Sequence, residues 1–112
     1  MKVFALKTCD TCRKAIKELR DAGLDFDVTD VRADGLNADD ITMIVEAIGF
    51  EKALNRRSTT WRGLDDADKA DLTAVKAATL IETHPTLLKR PAITDGQTTT
   101  VGWDKATKAV WL

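Results

Sequence analysis

The sequence predicts an α/β domain built on a small mixed sheet. Three observations carry this: a strand–helix–strand run within about 30 residues, a cysteine pair where the first strand meets the first helix, and two short strands joined by a turn ahead of a last helix. Lys2 to Leu6 (KVFAL) is short, apolar and partly β-branched, as a buried strand requires. Thr8, Cys9 and Asp10 form a loop. From Thr11 to Ala22 the apolar residues Ala15, Ile16, Leu19 and Ala22 recur at helical spacing, with lysines and arginines opposite. Gly23 is placed to end that helix in a left-handed conformation. Leu24 to Val31 alternates Phe26 and Val28 with acidic residues and reads as a second strand. This order implies a parallel βαβ unit with a right-handed crossover.

Asn37 is placed to cap a helix over Ala38 to Ile48, whose stripe is Ile41, Ile44, Val45 and Ile48. A turn is expected at Phe50 to Leu54, then a polar stretch from Asn55 to Arg62 (NRRSTTWR), and further helices over Asp66 to Leu72 and Ala74 to Thr83. Pro91 to Thr94 and Thr98 to Gly102 read as strands flanking Asp95-Gly96, a hairpin signal. Trp103 to Leu112 closes the chain as a helix with Val110 and Trp111 expected inward. The order β-α-β, helical block, β-β-α is that of a thioredoxin-like fold with a helical insertion after the second strand. The expected organisation is one domain over 1–112, with 1–33 and 85–112 as its core and about 34–84 as the insertion.

Composition narrows the function. The chain has 112 residues, 44% apolar and 31% charged, enough to bury a core without disulfide staples. A formal net charge of -1 speaks against direct nucleic-acid binding, which needs a strong basic excess. Met1 to Leu6 is too short, and too soon followed by Lys7, to be a signal peptide, and no apolar run approaches a membrane span of roughly 20 residues. The expected location is the cytoplasm, where a close cysteine pair points to redox chemistry or metal binding before a structural bridge.

Cys9-Asp10-Thr11-Cys12 follows a strand and opens a helix. Unpaired amides and the positive end of the helix dipole stabilise an anion there, and a thiolate so placed has its pKa lowered. Cys9 is the outer residue and the candidate nucleophile. Cys12, in the first turn, either resolves a mixed disulfide on Cys9 or is simply a small buried helix residue beside a Cys9 that acts alone. Lys7, Arg13 and Lys14 favour the thiolate and Asp10 opposes it. A zinc site needs about four ligands, and beyond the pair the chain offers only His84 and carboxylates, so no metal is expected.

Arg90-Pro91 precedes the third strand. In a thioredoxin-like fold the residue before a cis proline faces the cysteine loop, which gives the Arg90 guanidinium an oxyanion or carboxylate to bind. The Asn55 to Arg62 segment offers hydroxyls and guanidiniums for an anion pocket or a glutathione carboxylate, with Arg56 and Arg62 read as solvated. Trp61 reads equally as a core plug or a binding surface. His84, before Pro85, reads as a capping or surface residue.

CDTCRKA, LNRRSTTWRGL, the Lys89 to Pro91 tripeptide KRP and VGW at Val101 to Trp103 occur in the order found in the ArsC-like family. That family takes in glutaredoxin-coupled arsenate reductases, the Spx regulators and YffB-type proteins, and the chain is most similar to the YffB/Spx-like branch. The resemblance implies Cys9 as nucleophile and Arg90 as oxyanion ligand, with Cys12 beside them. Thr8, Asn55 and Arg57 are the candidate substrate-binding residues. Asn55 and Trp103 stand where arsenate reductases of the family carry two further arginines, so the implied oxyanion set is incomplete. The expected activity is a thiol-dependent reductase coupled to glutathione or a glutaredoxin, with glutathione as co-substrate and no bound cofactor. The alternative is an Spx-like redox-responsive regulator working through a Cys9–Cys12 switch, with the RNA polymerase α-subunit as partner. A monomer that engages no membrane is expected in either case.

Overall fold

Apolar residues occupy both faces of the first strand, β1 (Lys2–Ala5): Val3 and Ala5 point one way, Phe4 the other, and all three are at most 2% exposed. A strand buried on both faces belongs in the middle of a sheet. The computed structural model describes residues 1–112 and places β1 inside a four-stranded sheet of order β2-β1-β3-β4, where β2 is Asp27–Asp30, β3 Ala92–Thr94 and β4 Thr99–Val101. β1 and β2 are parallel, with Val3 opposite Val28; β1–β3 and β3–β4 are antiparallel. The helices are α1 (Asp10–Asp21), α2 (Ala38–Ile48), α3 (Phe50–Ala53), α4 (Thr59–Arg62), α5 (Asp66–Lys69), α6 (Ala74–Thr83) and α7 (Lys105–Trp111). This is the thioredoxin-like arrangement with helices inserted after β2.

Each sheet face has its own core. Val3, Ala5 and Ile93 pack with Cys12, Ala15 and Leu19 of α1 and with Trp103. Phe4, Leu6 and Ala92 pack with Ile41, Ile44 and Val45 of α2 and with Ala77, Leu80 and Ile81 of α6. Ile81 is fully buried there. Ile81→Ala removes three carbons from a site closed on all sides, and is expected to cost about 2–5 kcal/mol, read as a lowered midpoint of urea unfolding at unchanged slope.

The caps follow the expected chemistry. Asn37 accepts the Asp40 N–H at 2.9 Å and starts α2. Gly23, at φ +79°, ends α1: its N–H donates to the Arg20 carbonyl and that of Leu24 to Leu19. The hairpin turn forms at Asp95-Gly96, with Asp95 Oδ1 accepting the N–H groups of Gln97 and Thr98.

Several elements differ from the sequence reading. The second strand covers only Asp27–Asp30, because Leu24 is tied into the end of α1 and Phe26 packs against the α1-side core. Phe50 to Leu54 is a short helix and not a turn, and α4 forms within the polar stretch because Ser58 Oγ accepts the Trp61 N–H at 3.1 Å. α5 stops at Lys69: Ala70 turns extended and Asp71 adopts φ +52°. Val110 was expected inward but is 51% exposed. The inward residues near α7 are Trp103, Thr107 and Trp111, one helical turn apart, and Val110 lies off that stripe. Trp111 is half-buried, its Nε1 donating to Thr100 Oγ1 at 2.8 Å.

Candidate functional site

Cys9 is the residue at which the chain leaves the sheet and enters α1. Its backbone is still extended (φ −89°, ψ 118°), its N–H donates to the Leu6 carbonyl at 2.9 Å, and its carbonyl already accepts the Arg13 N–H at 3.0 Å. The loop before it is pinned twice. Arg13 Nε donates to the Lys7 carbonyl at 2.7 Å, and the Lys7 N–H donates to Asp30 Oδ2 at 2.8 Å.

Asp30, at the end of β2, was not singled out by the sequence reading. It is 5% exposed, and its other oxygen accepts the N–H groups of Arg32 and Ala33. The Ala33 and Lys7 amides, followed by that of Arg32, hold its carboxyl below the usual carboxylate range despite its burial. It therefore stays ionised at every pH where thiol chemistry runs, and it joins the loop before Cys9 to the loop after β2. An aspartate at the end of a strand, between Val28 and Val31, was the available signal.

The two thiols differ sharply. Partial burial alone pushes the Cys9 thiol up. The Cys12 amide and thiol, the charge of Arg90 and the Thr11 amide outweigh it and bring the thiol below its ordinary value. These amides act on the sulfur electrostatically, without the tight side-chain capping bond that Asn37 or Ser58 makes. Cys12 is fully buried in the α1-side core. Burial, reinforced by the neighbouring Cys9 sulfur, pushes its thiol up to about 11 against a lowering contribution from the Leu6 backbone and Arg90. The opposite directions of the two shifts make Cys9, and not Cys12, the thiol of the pair that ionises first. Both cysteines are free thiols.

The Arg90-Pro91 peptide bond is cis, and Pro91 is fully buried. Arg90 Nη1 donates to the carbonyls of Thr86 (2.7 Å) and Leu88 (3.2 Å), which fix the guanidinium beside the cysteine loop, where its charge acts on both sulfurs. Arg90 Nε is buried and has no hydrogen-bond partner. A buried, charged N–H left unpaired is costly.

Cys9, Cys12 and Arg90 are therefore together, and Thr8 stands exposed next to Cys9 in the chain. Asn55 and Arg57 belong to a neighbouring turn, held against the segment before Arg90 by a hydrogen bond from the Asn55 N–H to the Leu87 carbonyl at 2.7 Å. Asn55 Oδ1 accepts the Arg57 N–H at 3.2 Å, and neither side chain hydrogen-bonds to Cys9, Cys12 or Arg90. Trp61 packs on the α2/α6 core with Arg56 and Lys69 over its ring at 5.8 and 5.6 Å, so it is both plug and surface. Trp103 Nε1 donates to Glu18 on α1 and supplies no positive charge. His84 lies at the end of α6, its N–H donating to Leu80. No group of three or more His, Cys, Asp or Glu side chains is placed to hold a metal ion.

A thiol at the strand-to-helix junction, beside an arginine that precedes a cis proline on this sheet, defines a thioredoxin-fold protein with a cysteine pair at the start of its first helix. Within that class the chain belongs to the ArsC family, whose pattern matches residues 4–109. It is 36% identical over 103 residues to an uncharacterized protein of Haemophilus influenzae, covering 92% of this chain and 90% of that one. Identity to the global transcriptional regulator Spx of Staphylococcus haemolyticus is 28% over 106 residues, covering 92% of this chain and 79% of the regulator. The solved structure of a YFFB protein superposes with a TM-score of 0.91 at 34% identity, covering 99% of this chain and 97% of that one. No helix is long and apolar enough to cross a membrane.

Proposed function

We propose that the chain is a thiol-dependent reductase that works with glutathione or a glutaredoxin, with Cys9 as its nucleophile. The observation that carries this reading is the asymmetry of the pair: Cys9 lowered at the mouth of α1, Cys12 buried and raised to about 11. On a glutathione mixed disulfide, the Cys9 thiolate attacks one sulfur, forms a new S–S bond and expels the other sulfur as a thiolate. The half-buried Arg90 guanidinium holds an anionic group of the substrate close to the sulfur under attack. A glutathione thiolate then attacks the adduct and regenerates Cys9, so one mixed disulfide and one glutathione yield the free thiol and oxidised glutathione. Thr8 and Arg57 are the further substrate contacts in this reading, supported by Thr8 lying next to Cys9 in the chain and by Asn55, whose Oδ1 accepts the Arg57 N–H in a turn bonded to the segment before Arg90.

Resolution by Cys12 is the slower route. Burial, the largest cause of the rise at Cys12, persists when Cys9 is held in the adduct and keeps the Cys12 thiolate scarce near neutral pH. Cys12→Ser is accordingly expected to keep at least about half of the glutathione-dependent turnover, measured as oxidised glutathione formed from a peptide–glutathione mixed disulfide. A drop of 100-fold or more would instead make Cys12 the resolving thiol.

The similarity to Spx and the presence of both cysteines support a second reading, a redox-responsive regulator. Here a Cys9–Cys12 disulfide changes the affinity for a protein partner, the RNA polymerase α-subunit in the branch the chain resembles. Pull-down of that subunit with reduced and with oxidised protein separates the two. A partner retained in one redox state alone supports the switch, and equal capture in both, or none, leaves the reductase reading.

A further inference from the structure

β2 is an edge strand, and α1 does not cover it. Val3 and Ala5 under α1 are buried, while Val28, opposite Val3 on the same face, is 39% exposed. The uncovered strip forms a groove of about 700 Å³ between α1 and β2. That volume lies within the roughly 300–1,000 Å³ of ligand-sized pockets. Its floor is apolar, with Ile16 of α1 and Val28 of β2 as its exposed part. Arg13, Lys17 and Arg20 line one wall at helical spacing, and Lys7 closes the end nearest Cys9.

Three carboxylates share the lining, and each is already engaged. Asp21 Oδ2 accepts from Lys17 Nζ at 2.8 Å. Asp30 accepts three backbone N–H groups, and Asp34 Oδ2 accepts the Asp30 N–H at 2.8 Å. Lys17 is thereby neutralised. Arg13 Nε donates to the Lys7 carbonyl, and the only ion pair of Arg13 is a 3.8 Å contact with a 99% exposed Asp10, too solvated to count for much. Arg20 faces the Phe26 ring at 5.8 Å and forms no ion pair, nor does Lys7. Four cations and three carboxylates thus line the groove, a small positive excess above an apolar floor, with the Arg13 and Arg20 charges not held in close ion pairs.

The strand edge adds a direction. Asp27 and Val31 donate their N–H groups inward to β1, so by alternation the Val28 N–H and carbonyl face outward. The next outward N–H, that of Asp30, is sealed by Asp34. One residue of an extended chain can thus pair with β2, and no more.

We infer that this groove docks a short, extended, acidic peptide segment of a protein partner, with main-chain bonds at Val28, an apolar side chain against Ile16 and Val28, and carboxylates on Arg13 and Arg20. An extended segment fits better than a compact anion, because the cations are spread along about two turns of α1 over an apolar floor. Two of the lining residues, Lys7 and Arg13, flank Cys9 in the chain. The docking itself requires no reaction at Cys9, so its failure and that of the reductase reading are separately visible.

The test is a titration of the full-length protein, observed by amide NMR, with a short synthetic peptide alternating glutamate and valine and with its lysine–valine counterpart. The acidic peptide is expected to shift the signals of Ile16, Arg20 and Val28, to bind at least about tenfold more weakly to Arg20→Glu, and to lose affinity as salt rises. Val28→Asp, on an exposed edge and harmless to the core, is expected to weaken it similarly. Equal binding of the two peptides, shifts confined to the Asn55–Arg62 segment, or undiminished binding by both folded variants would overturn the inference. Glutathione producing the same shifts at equal or lower concentration would overturn the choice of a peptide.

Discussion

Cys9→Ser is expected to abolish thiol exchange, lowering glutathione-dependent turnover by at least about 1,000-fold. The hydroxyl is not ionised near neutral pH, and the amides and guanidinium that lower the thiol cannot bring an alcohol into range. Cys9 is only half-buried and caps α1 without a tight side-chain bond, so the variant should fold. A serine there is itself a good capping residue and is expected to leave the unfolding midpoint unchanged or slightly raised. Mass spectrometry after exposure to oxidised glutathione supplies the second readout. The wild type takes up one glutathione on the peptide containing Cys9, and the variant takes up none. Turnover surviving within tenfold of wild type would place the chemistry elsewhere.

Arg90→Met is expected to act twice. It removes a charge that favours the Cys9 thiolate, so Cys9 titrates at a higher pH, and it removes the guanidinium proposed to bind an anionic substrate group. Together these should lower kcat/KM for an anionic mixed disulfide by roughly 10- to 100-fold, with a smaller loss for an uncharged disulfide. The variant also leaves the Thr86 and Leu88 carbonyls without their donor, at a cost of about 1–3 kcal/mol. Arg90→Lys separates the effects: the charge remains while the planar fork is lost. Its Cys9 titration should lie near that of wild type, and its anionic-substrate preference should fall. If both variants react with anionic and neutral disulfides in the wild-type ratio, Arg90 plays no part in binding.

The parts of the fold legible in the sequence are those in which local pattern and packing agree. α1, α2 and α6 each carry an apolar stripe, and Gly23 and Asn37 mark two of their ends. Both sheet faces of β1 could be read from KVFAL because every position but the first is buried. What was not legible depends on tertiary contacts. Leu24 and Phe26 look like strand residues, yet they are drawn towards α1, so β2 begins only at Asp27. Val110 looks like core until the helix phase is set by Trp103 and Thr107, both 8% exposed.

The site divides in the same way. The cysteine pair is local, and its place at the mouth of α1 follows from strand, loop and helix signals alone. Arg90 was reachable only through the fold, since nothing in the dipeptide Arg90-Pro91 announces the cis bond. The carbonyls of Thr86 and Leu88 that aim its guanidinium, and the Asp30 carboxylate that ties down the loop before Cys9, are long-range or backbone features with little sequence signature. The sealing of the β2 edge by Asp34 is another such feature, visible only once the strand register is known.

Thiol exchange at residue 9 rests on one electrostatic effect, the lowering of the Cys9 thiol by the amides of α1, the Cys12 thiol and the charge of Arg90. The direct measurement is the rate of iodoacetamide alkylation of Cys12→Ser as a function of pH, in which Cys9 is the sole thiol. A lowered pKa means that the reactive anion is already present at lower pH, so the rate should rise through a midpoint below that of an ordinary cysteine, about 8.5, and level off above it. In Cys12→Ser/Arg90→Met the same curve should move to higher pH. A midpoint at or above that of free cysteine, unmoved by loss of Arg90, would contradict the account.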